Sequence, residues 1–259
     1  MSAVARIPCP LPPELLGRLA AGPGLLLCLD YDGTLAEITA DRDNARPFAG
    51  VRREVRRLLS HDEIAVAIVT GRTIAEVKRL LGIDAGLFFS GVHGLELDHP
   101  NRGEGRFIPE ALAARQELAA VRGWLSTNVP EGMGFHIEDK CCAVGLHYRG
   151  ANAHAAEDIC ARLERFVDNE ASQLKLVRLK MLAEVMPRVA SKARALLALK
   201  PHVPSSYVTA YFGDDTTDED AFGALAPSDV GVLVGEERKT LARFRVSRPA
   251  DVVRELRAL

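Results

Sequence analysis

The segment LLLCLDYDGTL, residues 25–35, decides the fold because it joins an apolar run directly to two carboxylates. Residues 25–29 are all apolar, which is typical of a strand buried on both faces of a parallel sheet. Asp30 ends this run and Asp32 lies two residues further, so both side chains can face one ligand pocket. Gly33 permits a tight bend after them. The segment therefore predicts a central strand with a carboxylate site at its carboxyl end.

Further strands and helices alternate on both sides of the middle of the chain. IAVAIV at residues 64–69 predicts a second buried strand and LFFS at residues 87–90 a third, while YVTAYFGDD and VGVLVG predict two more near the carboxyl end. Helical patterns lie between the strands, including one at about residues 49–59 and one that Gly82 ends. This alternation predicts the α/β class, with a Rossmann-like core built on a parallel sheet.

The pattern changes in the middle of the chain to helix–strand–strand–helix–strand–strand, and the strands alternate as in antiparallel pairs. One long helix is expected at residues 109–128 and another at residues 152–169. We therefore predict an α+β cap domain at residues 99–187, inserted into a discontinuous α/β core of residues 1–98 and 188–259. Because ligands bind outside the carboxyl ends of the strands in such folds, we expect the insert to cover the site.

A second acidic motif, GDDTTDED at residues 213–220, also follows an apolar strand. It brings Asp214, Asp215 and Asp218 close together at a predicted strand-to-helix turn. One acid is enough to cap the helix, whereas several neighbouring acids repel one another without a cation, and hard oxygen donors suit Mg²⁺. The first motif does not fit a calcium loop, because an apolar strand precedes it and its twelfth position is Asp41. The acidic motifs predict a magnesium site.

Two weaker signals accompany the acidic motifs. Thr70, Gly71 and Arg72 follow a predicted strand and begin a helix, where a hydroxyl and free backbone N–H groups can hold a phosphate. A threonine in that place is equally an ordinary N-cap. Lys192 lies at the start of the helix that re-enters the core, and by itself such a lysine is typical of a solvated surface.

In this order, the four segments resemble the motifs of the haloacid dehalogenase superfamily. The segments SGVHG, IEDKCCAVGLHYR, AEVMP and GDDTTDEDAF resemble the bacterial trehalose-6-phosphate phosphatases, and the likeness covers nearly the whole chain from Leu25. The resemblance implies a Mg²⁺-dependent phosphoric monoester hydrolase that converts trehalose 6-phosphate to trehalose and phosphate. It implies a small sugar phosphate as substrate and leaves functional coupling to a sugar-phosphate synthase open.

The resemblance also implies catalytic roles. Asp30 attacks phosphorus and forms an aspartyl-phosphate, and Asp32 protonates the departing sugar oxygen and later activates water. Thr70 and Lys192 hold the phosphoryl oxygens, with Gly71 and Arg72 beside them in the substrate-binding set. Covalent catalysis divides the displacement into two steps, and one acid–base residue can serve both.

The implied metal ligands are Asp30, the main-chain carbonyl of Asp32, and Asp214. Asp215 and Asp218 then support the metal or the lysine. The physical logic agrees with this assignment, because a carboxylate and a phosphate dianion repel each other. A divalent cation and an ammonium group allow them to meet.

The family pattern assigns further substrate contacts to Glu138, Lys140 and Glu184 in the cap and to His93 in the core. On a strand, Glu138 and Lys140 project to the same face, which fits a surface lined for sugar hydroxyls. An ion pair across strands on a solvated face explains the same residues equally well. A lone histidine in a turn such as His93 is commonly structural, and the family match is what favours substrate contact.

Three positions depart from the family pattern, namely Val92, Met186 and Ala193. None touches the phosphoryl chemistry, but Val92 and Met186 leave open a same-family phosphatase for another sugar phosphate or a glycosyl-glycerol phosphate. A phosphomutase is less favoured, because the mutases of this superfamily commonly carry a small helical cap between the first two motifs. The stretch between Leu35 and Thr70 is too short to hold such a cap as well as the core helix and strand. A non-catalytic binding module is disfavoured because the catalytic residue types are all retained.

Composition excludes several other classes. Apolar residues make up 47% and charged residues 26% of the chain, and the net charge is −2. These values predict a globular protein and offer no basis for nucleic acid or an anionic membrane as partner. Five cysteines without a C-x-x-C pair are expected to be reduced and structural. No basic leader or membrane-length apolar run is found, so a cytoplasmic location is expected.

Overall fold

The chain divides into two compact units. The structure, a computed structural model, describes residues 5–39, 42–100 and 105–259. The core unit comprises the chain up to Arg106 together with Ser191–Leu259, and the cap unit is Phe107–Ala190. The sequence pattern changes at residues 98 and 187, so both observed divisions fall somewhat later in the chain.

Strands and helices alternate along the described residues. The strands are β1 (Cys9–Pro10), β2 (Leu25–Leu29), β3 (Ile64–Val69), β4 (Phe88–Gly91), β5 (Glu96–Asp98), β6 (Arg106–Phe107), β7 (His136–Asp139), β8 (Val144–His147), β9 (Leu174–Leu179), β10 (Leu182–Pro187), β11 (Val208–Gly213), β12 (Val230–Val234) and β13 (Phe244–Val246). The helices are α1 (Leu15–Ala21), α2 (Val51–Leu58), α3 (Ile74–Leu81), α4 (Pro109–Ala113), α5 (Arg115–Asn128), α6 (Ala153–Glu170), α7 (Lys192–Leu199), α8 (Asp218–Ala224) and α9 (Pro249–Ala258). Of these described helices, none is both long and apolar enough to cross a membrane.

The core unit is built on a mainly parallel sheet, with the strand order β1-β13-β12-β11-β2-β3-β4-β5-β6 among the described residues. Strand β2 lies at the centre, paired in parallel with β11 on one side and β3 on the other. Strand β5 runs antiparallel to β4. The predicted α/β class with a parallel sheet is confirmed.

The period of two along β2 explains why the whole strand is apolar. Leu25, Leu27 and Leu29 pack into a cluster that includes the buried faces of α1, α2, α3 and α9. Leu26 and Cys28 point to the other face and pack with α7 and α8. Burying one leucine fully is worth roughly 1.5–3 kcal/mol, so the layered sandwich fixes β2 firmly in place.

The cap unit is an antiparallel sheet in the order β7-β8-β10-β9, with apolar side chains of α5 and α6 packed on one face. The single helix expected at residues 109–128 is two helices. Ala114 separates them with φ −79° and ψ 0°, the bridge region in which α-helical bonding is interrupted. The alternation on β8 and β10 leaves the polar side chains of the sheet on the face opposite the two helices.

Candidate active site

Parallel pairing brings the predicted core residues to one edge of the sheet. Asp30 directly follows β2, and Asp214 directly follows the neighbouring strand β11. Thr70 follows β3, on the other side of β2, and its N–H donates to the carbonyl of Ser90 at 2.9 Å. Because adjacent parallel strands end at the same edge, residues distant in sequence become neighbours there.

A buried lysine connects two of these acids. The ammonium of Lys192, the first residue of α7, donates to Asp30 Oδ1 at 2.8 Å and to Asp218 Oδ1 at 2.7 Å. All three side chains are almost fully buried. Burial by itself would lower the pKa of Lys192, but the carboxylates of Asp218 and Asp30 outweigh it and raise the pKa above its ordinary value. Lys192 therefore stays charged and offsets two buried carboxylates.

Asp218 is fixed on all sides. Its Oδ1 also accepts a hydrogen bond from the Tyr211 hydroxyl at 2.6 Å, and its Oδ2 accepts from the backbone N–H of Asp215 at 2.9 Å. A Cβ at Gly213 would lie 2.2 Å from the Asp218 carboxyl carbon, so only glycine allows this approach. These contacts hold Asp218 as the partner of Lys192.

Asp214 has a carboxylate oxygen that accepts no hydrogen bond from the described residues. Its Oδ1 is buried and has no hydrogen-bond partner among the described residues. Burial, followed by the charge of Asp218, raises the pKa of Asp214 to about 7. Burial likewise raises the pKa of Asp30 well above its ordinary value, although Lys192 opposes the shift. A Cβ at Gly33, where φ is +77°, would lie 2.0 Å from Asp214 Oδ2, so the glycine leaves room for this carboxylate.

Asp32 is held by a different cation. Both of its carboxylate oxygens accept from Arg72, at 2.7 Å from Nε and 2.7 Å from Nη2. The Arg72 side chain is buried, whereas that of Asp32 is 39% exposed. A planar guanidinium fits a carboxylate in this two-point fashion and fixes its orientation. Asp32 thus keeps access to solvent while its carboxyl group is held in a defined position.

The phosphate-binding segment predicted at residues 70–72 packs against a strained turn. A Cβ at Gly71 would lie 2.6 Å from His93 Nε2, so the histidine ring rests on this glycine. His93 has φ +53° and Val92 has φ +47°, a rare conformation for a β-branched residue. The backbone N–H of His93 donates to the Thr70 carbonyl, and that of Val92 donates to the Arg72 carbonyl. These bonds hold the turn against residues 70–72. Such strain persists only where the surroundings impose it, and it is common at functional sites.

Asp215 lies apart from the other acids. Its side chain is exposed, and Oδ1 accepts from the backbone N–H of Thr216 at 2.7 Å. Ligand atoms of Asp30, Asp214 and Asp218 lie within 4.8 Å of one another, and Asp215 is not part of this group. Sequence proximity alone did not distinguish the acids that converge from the one that faces solvent.

The three charged residues expected in the cap lie together within that unit. Lys140 Nζ is 2.5 Å from Glu184 Oε1 and 3.7 Å from Glu138 Oε2. Glu138, Gly145 and Glu184 face one another across β7, β8 and β10. Lys140 and Glu184 are almost fully buried, so the solvated surface pair that the sequence left open does not describe them.

Two residues that contact the predicted site residues were not assigned to the site from the sequence. Tyr211 bonds Asp218 across the strand-to-helix turn, and its position in an apolar strand gives no signal of this contact. His147 Nε2 lies 2.8 Å from Glu138 Oε2, a contact that follows from the register of β7 against β8. Because register is a property of paired strands, period-two alternation alone does not identify such a partner.

Solved structures with the same architecture define the class. A haloacid dehalogenase-like hydrolase from B. subtilis matches with a TM-score of 0.60 at 19% identity, over 90% of this chain and 99% of that one. The C-terminal domain of the C. albicans trehalose-6-phosphate phosphatase matches with a TM-score of 0.83 at 23% identity, over 97% of each chain. The fold is therefore that of the haloacid dehalogenase-like hydrolases.

Within this class, the chain belongs to the trehalose-phosphatase family, whose pattern matches residues 28–249. The curated trehalose-phosphate phosphatase of Mycobacterium marinum is 31% identical over 254 residues, which are 93% of this chain and 64% of that protein. The predicted superfamily and family are confirmed. The chain spans less than two thirds of the length of the curated relatives it matches first, and 19% of an uncharacterized glycosyl hydrolase of Mycobacterium tuberculosis.

Family membership suggests a divalent metal, and the core residues fit one. Asp30, Asp214 and Asp218 offer carboxylate oxygens, the donors that hard divalent cations prefer. The Oδ1 of Asp214 has no hydrogen-bond partner among the described residues, and burial raises the pKa values of Asp214 and Asp30, although Lys192 opposes both shifts. A bound cation would favour the charged forms of these acids.

Proposed function

We propose that this chain is a Mg²⁺-dependent phosphatase that hydrolyses trehalose 6-phosphate to trehalose and phosphate. The observation that carries the proposal is the buried Asp30 carboxylate, 2.8 Å from the Lys192 ammonium and beside Asp214. The family match and the trehalose-phosphate phosphatases among its relatives support the choice of substrate.

Asp30 is the nucleophile in this proposal. Its carboxylate attacks phosphorus, the bond between phosphorus and the sugar oxygen breaks, and an aspartyl-phosphate forms on Asp30. Asp32 gives its proton to the departing sugar oxygen and then takes a proton from the water that cleaves the aspartyl-phosphate. In the structure, the two-point contact from Arg72 holds Asp32 in one orientation and leaves its carboxyl group partly open to solvent.

Lys192 and Thr70 hold the phosphoryl oxygens. The Lys192 ammonium already contacts Asp30, so it can neutralise charge on a phosphoryl group bound there. Gly71 allows backbone N–H groups to approach the phosphate closely, and His93, which rests on Gly71, contacts the substrate beside it.

Mg²⁺ would be held by Asp30, the main-chain carbonyl of Asp32, and Asp214, with Asp218 in support and Asp215 contributing through its backbone N–H, which donates to Asp218. When bound, the ion neutralises charge between the attacking carboxylate and the phosphate. Mg²⁺ is preferred to softer metals because oxygen is the only donor type among these residues.

Glu138, Lys140 and Glu184 bind sugar hydroxyls in the proposal. A buried ammonium between two carboxylates offers both donors and acceptors, which suits a polyhydroxyl ligand. The near-complete burial of Lys140 and Glu184 supports recognition over a solvated surface pair, since unneeded buried charges are costly.

A phosphate-release assay over a panel of sugar phosphates tests the proposal. We expect trehalose 6-phosphate to give the highest kcat/KM, well above glucose 6-phosphate and a glucosylglycerol phosphate. Activity should vanish with a chelator and return with Mg²⁺. A higher kcat/KM for another sugar phosphate would refute the substrate, and full activity after exhaustive metal removal would refute the metal.

A further inference from the structure

The hairpin tip that joins β7 and β8 carries two adjacent cysteines in a strained turn. Lys140 N–H donates to the Ala143 carbonyl at 2.9 Å, and Cys142 N–H donates to the Lys140 carbonyl at 2.7 Å. The second bond spans Cys141, whose φ is +66°. An i→i+2 bond with a positive φ at the central residue is the rare and strained form of the γ-turn. The turn orients the Cys141 side chain outward.

The two thiols have opposite environments. Cys142 is fully buried, and burial together with the neighbouring Cys141 raises the pKa of its thiol to about 11. Cys141 is exposed. Since the thiolate is the reactive form and access is required, Cys141 is the accessible nucleophile of the pair and Cys142 is the protected one.

Two arginines surround the exposed thiol. Arg115 Nη2 lies 3.2 Å from Cys141 Sγ, and Arg122 Nη2 donates to the Cys141 carbonyl at 2.8 Å. Arg122 also pairs with Asp139, whereas Arg115 has no carboxylate partner among the described residues. These four residues line an open depression of about 570 Å³ on the cap unit. The depression therefore carries a net positive charge, and the Cys141 thiol is part of its lining.

We propose that Cys141 is a site of reversible S-thiolation by a low-molecular-mass disulfide that bears carboxylates. Arg115 pairs with a carboxylate of the reagent and brings a disulfide sulfur to Cys141. The Cys141 thiolate attacks that sulfur and the S–S bond breaks. One half remains on Cys141 as a mixed disulfide, and the other half leaves as a thiolate and takes up the proton that Cys141 lost.

The mixed disulfide is expected to persist until an external thiol removes it. Cys142 is the nearest nucleophile that could displace the adduct. With a pKa of about 11 and a buried sulfur, its thiolate is scarce near neutral pH, so this displacement is slow. Cys141 is therefore the reactive thiol of the pair, and Cys142 is unreactive near neutral pH.

The adduct would lie on the residue that follows Lys140. Modification of the strained turn disturbs the backbone that places the Lys140 ammonium 2.5 Å from Glu184. This consequence rests on the proposed role of Lys140 in sugar binding. It predicts a lower kcat/KM for trehalose 6-phosphate and an unchanged one for a small aryl phosphate.

The test is the rate of adduct formation with oxidised glutathione, followed by peptide mass mapping. Cys9 is the matched control, because it is exposed but has no side-chain partner among the described residues. We expect Cys141 to react about tenfold faster than Cys9, by local attraction of the anionic reagent. Arg115→Gln should remove most of this preference. With the uncharged hydroxyethyl disulfide, both cysteines should react at similar rates.

Equal labelling of Cys9 and Cys141 by oxidised glutathione, or a preference that survives Arg115→Gln, would overturn the proposal. Activity gives an independent readout on the modified protein, with Cys141→Ser as the variant that keeps activity and resists the reagent. If Cys141 is labelled selectively and both substrates are hydrolysed as before, the modification site stands and its link to Lys140 is wrong. If neither substrate is hydrolysed by the untreated protein, the proposed function fails and the labelling result is unaffected.

Discussion

A buried lysine ion-paired with two carboxylates occurs in both units of the protein. In the core, Lys192 joins Asp30 and Asp218, and in the cap, Lys140 joins Glu184 and Glu138. The core cluster adds Asp214, whose Oδ1 has no partner among the described residues. The cap cluster instead adds an imidazole, that of His147, against Glu138.

This difference agrees with the roles that we propose, chemistry in the core and recognition in the cap. In the core, burial, followed by the charge of Asp218, raises the pKa of Asp214 to about 7, and three acids surround one ammonium, an arrangement that fits a further cation. In the cap, Glu138 lies 3.7 Å from the Lys140 ammonium and 2.8 Å from the His147 imidazole. A site short of positive charge suits a metal ion, which then allows a phosphate to approach, and a site with mixed donors and acceptors suits hydroxyl groups.

The largest expected effect is that of Asp30→Asn in the core. The amide is nearly isosteric but cannot attack phosphorus, so kcat should fall on the order of 10⁴-fold or more for every substrate. Phosphate release by the purified variant, with circular dichroism to verify folding, measures this. Asp220→Asn, an exposed acid on α8, is the matched control and should retain activity. Wild-type turnover by a folded Asp30→Asn protein would contradict the assignment of Asp30 as the nucleophile.

Asp32→Asn should reduce kcat less than Asp30→Asn does, and the size of the reduction should depend on the leaving group of the substrate. With trehalose 6-phosphate, kcat should fall at least about a hundredfold, since the nucleophile remains but the proton donor is lost. An aryl phosphate such as p-nitrophenyl phosphate needs no proton on its leaving group, so its first step should suffer less. Burst-phase kinetics with both substrates measure that step, and equal losses would argue against the role given to Asp32.

Substitutions in the cap cluster should reduce the hydrolysis of the sugar phosphate only. Glu138→Ala, Lys140→Ala and Glu184→Ala should each reduce kcat/KM for trehalose 6-phosphate by about ten- to a hundredfold, the value of a hydrogen bond to a charged group. Hydrolysis of p-nitrophenyl phosphate should barely change, and it also reports correct folding. Arg178→Ala, which removes exposed ion pairs of the same unit, is the control. Equal slowing of both substrates would contradict the division between the two units.

The smallest expected effect is a pH dependence of stability in the core. A raised folded-state pKa at Asp214 means that the native state keeps a proton which the unfolded state has released. In the presence of a chelator, the free energy of unfolding should therefore fall as the pH rises from about 4 to about 7. A loss of about 2 kcal/mol is expected, since each tenfold change in proton affinity is ~1.4 kcal/mol and partial access to water reduces the full effect.

Urea unfolding at several pH values measures this loss. Asp214→Asn should have a shallower slope, because its amide does not titrate, and Mg²⁺ should stabilise the wild type more at pH 8 than at pH 5. A steeper slope in Asp214→Asn, or a Mg²⁺ effect independent of pH, would contradict the excess of negative charge inferred for the core cluster.

Local patterns predicted the long, strongly apolar elements well. The strand expected at residues 64–69 is β3 with the same bounds, and the one that begins at Leu25 is β2. The short strands β1, β5, β6 and β13 were not anticipated, since two or three residues cannot establish a period. The break at Ala114 was also missed, because alanine itself favours the helix interior and nothing in the sequence marks an interruption there.

The sequence by itself determined the class of fold, the family and the residue types of the catalytic motifs. These follow from apolar runs that end in carboxylates, a signal contained within a few consecutive residues. Only the tertiary structure decided which acids converge, that Lys192 is buried between Asp30 and Asp218, and that Asp215 faces solvent. The physical reason is that these contacts join residues as far as 162 positions apart, and strand pairing sets their geometry.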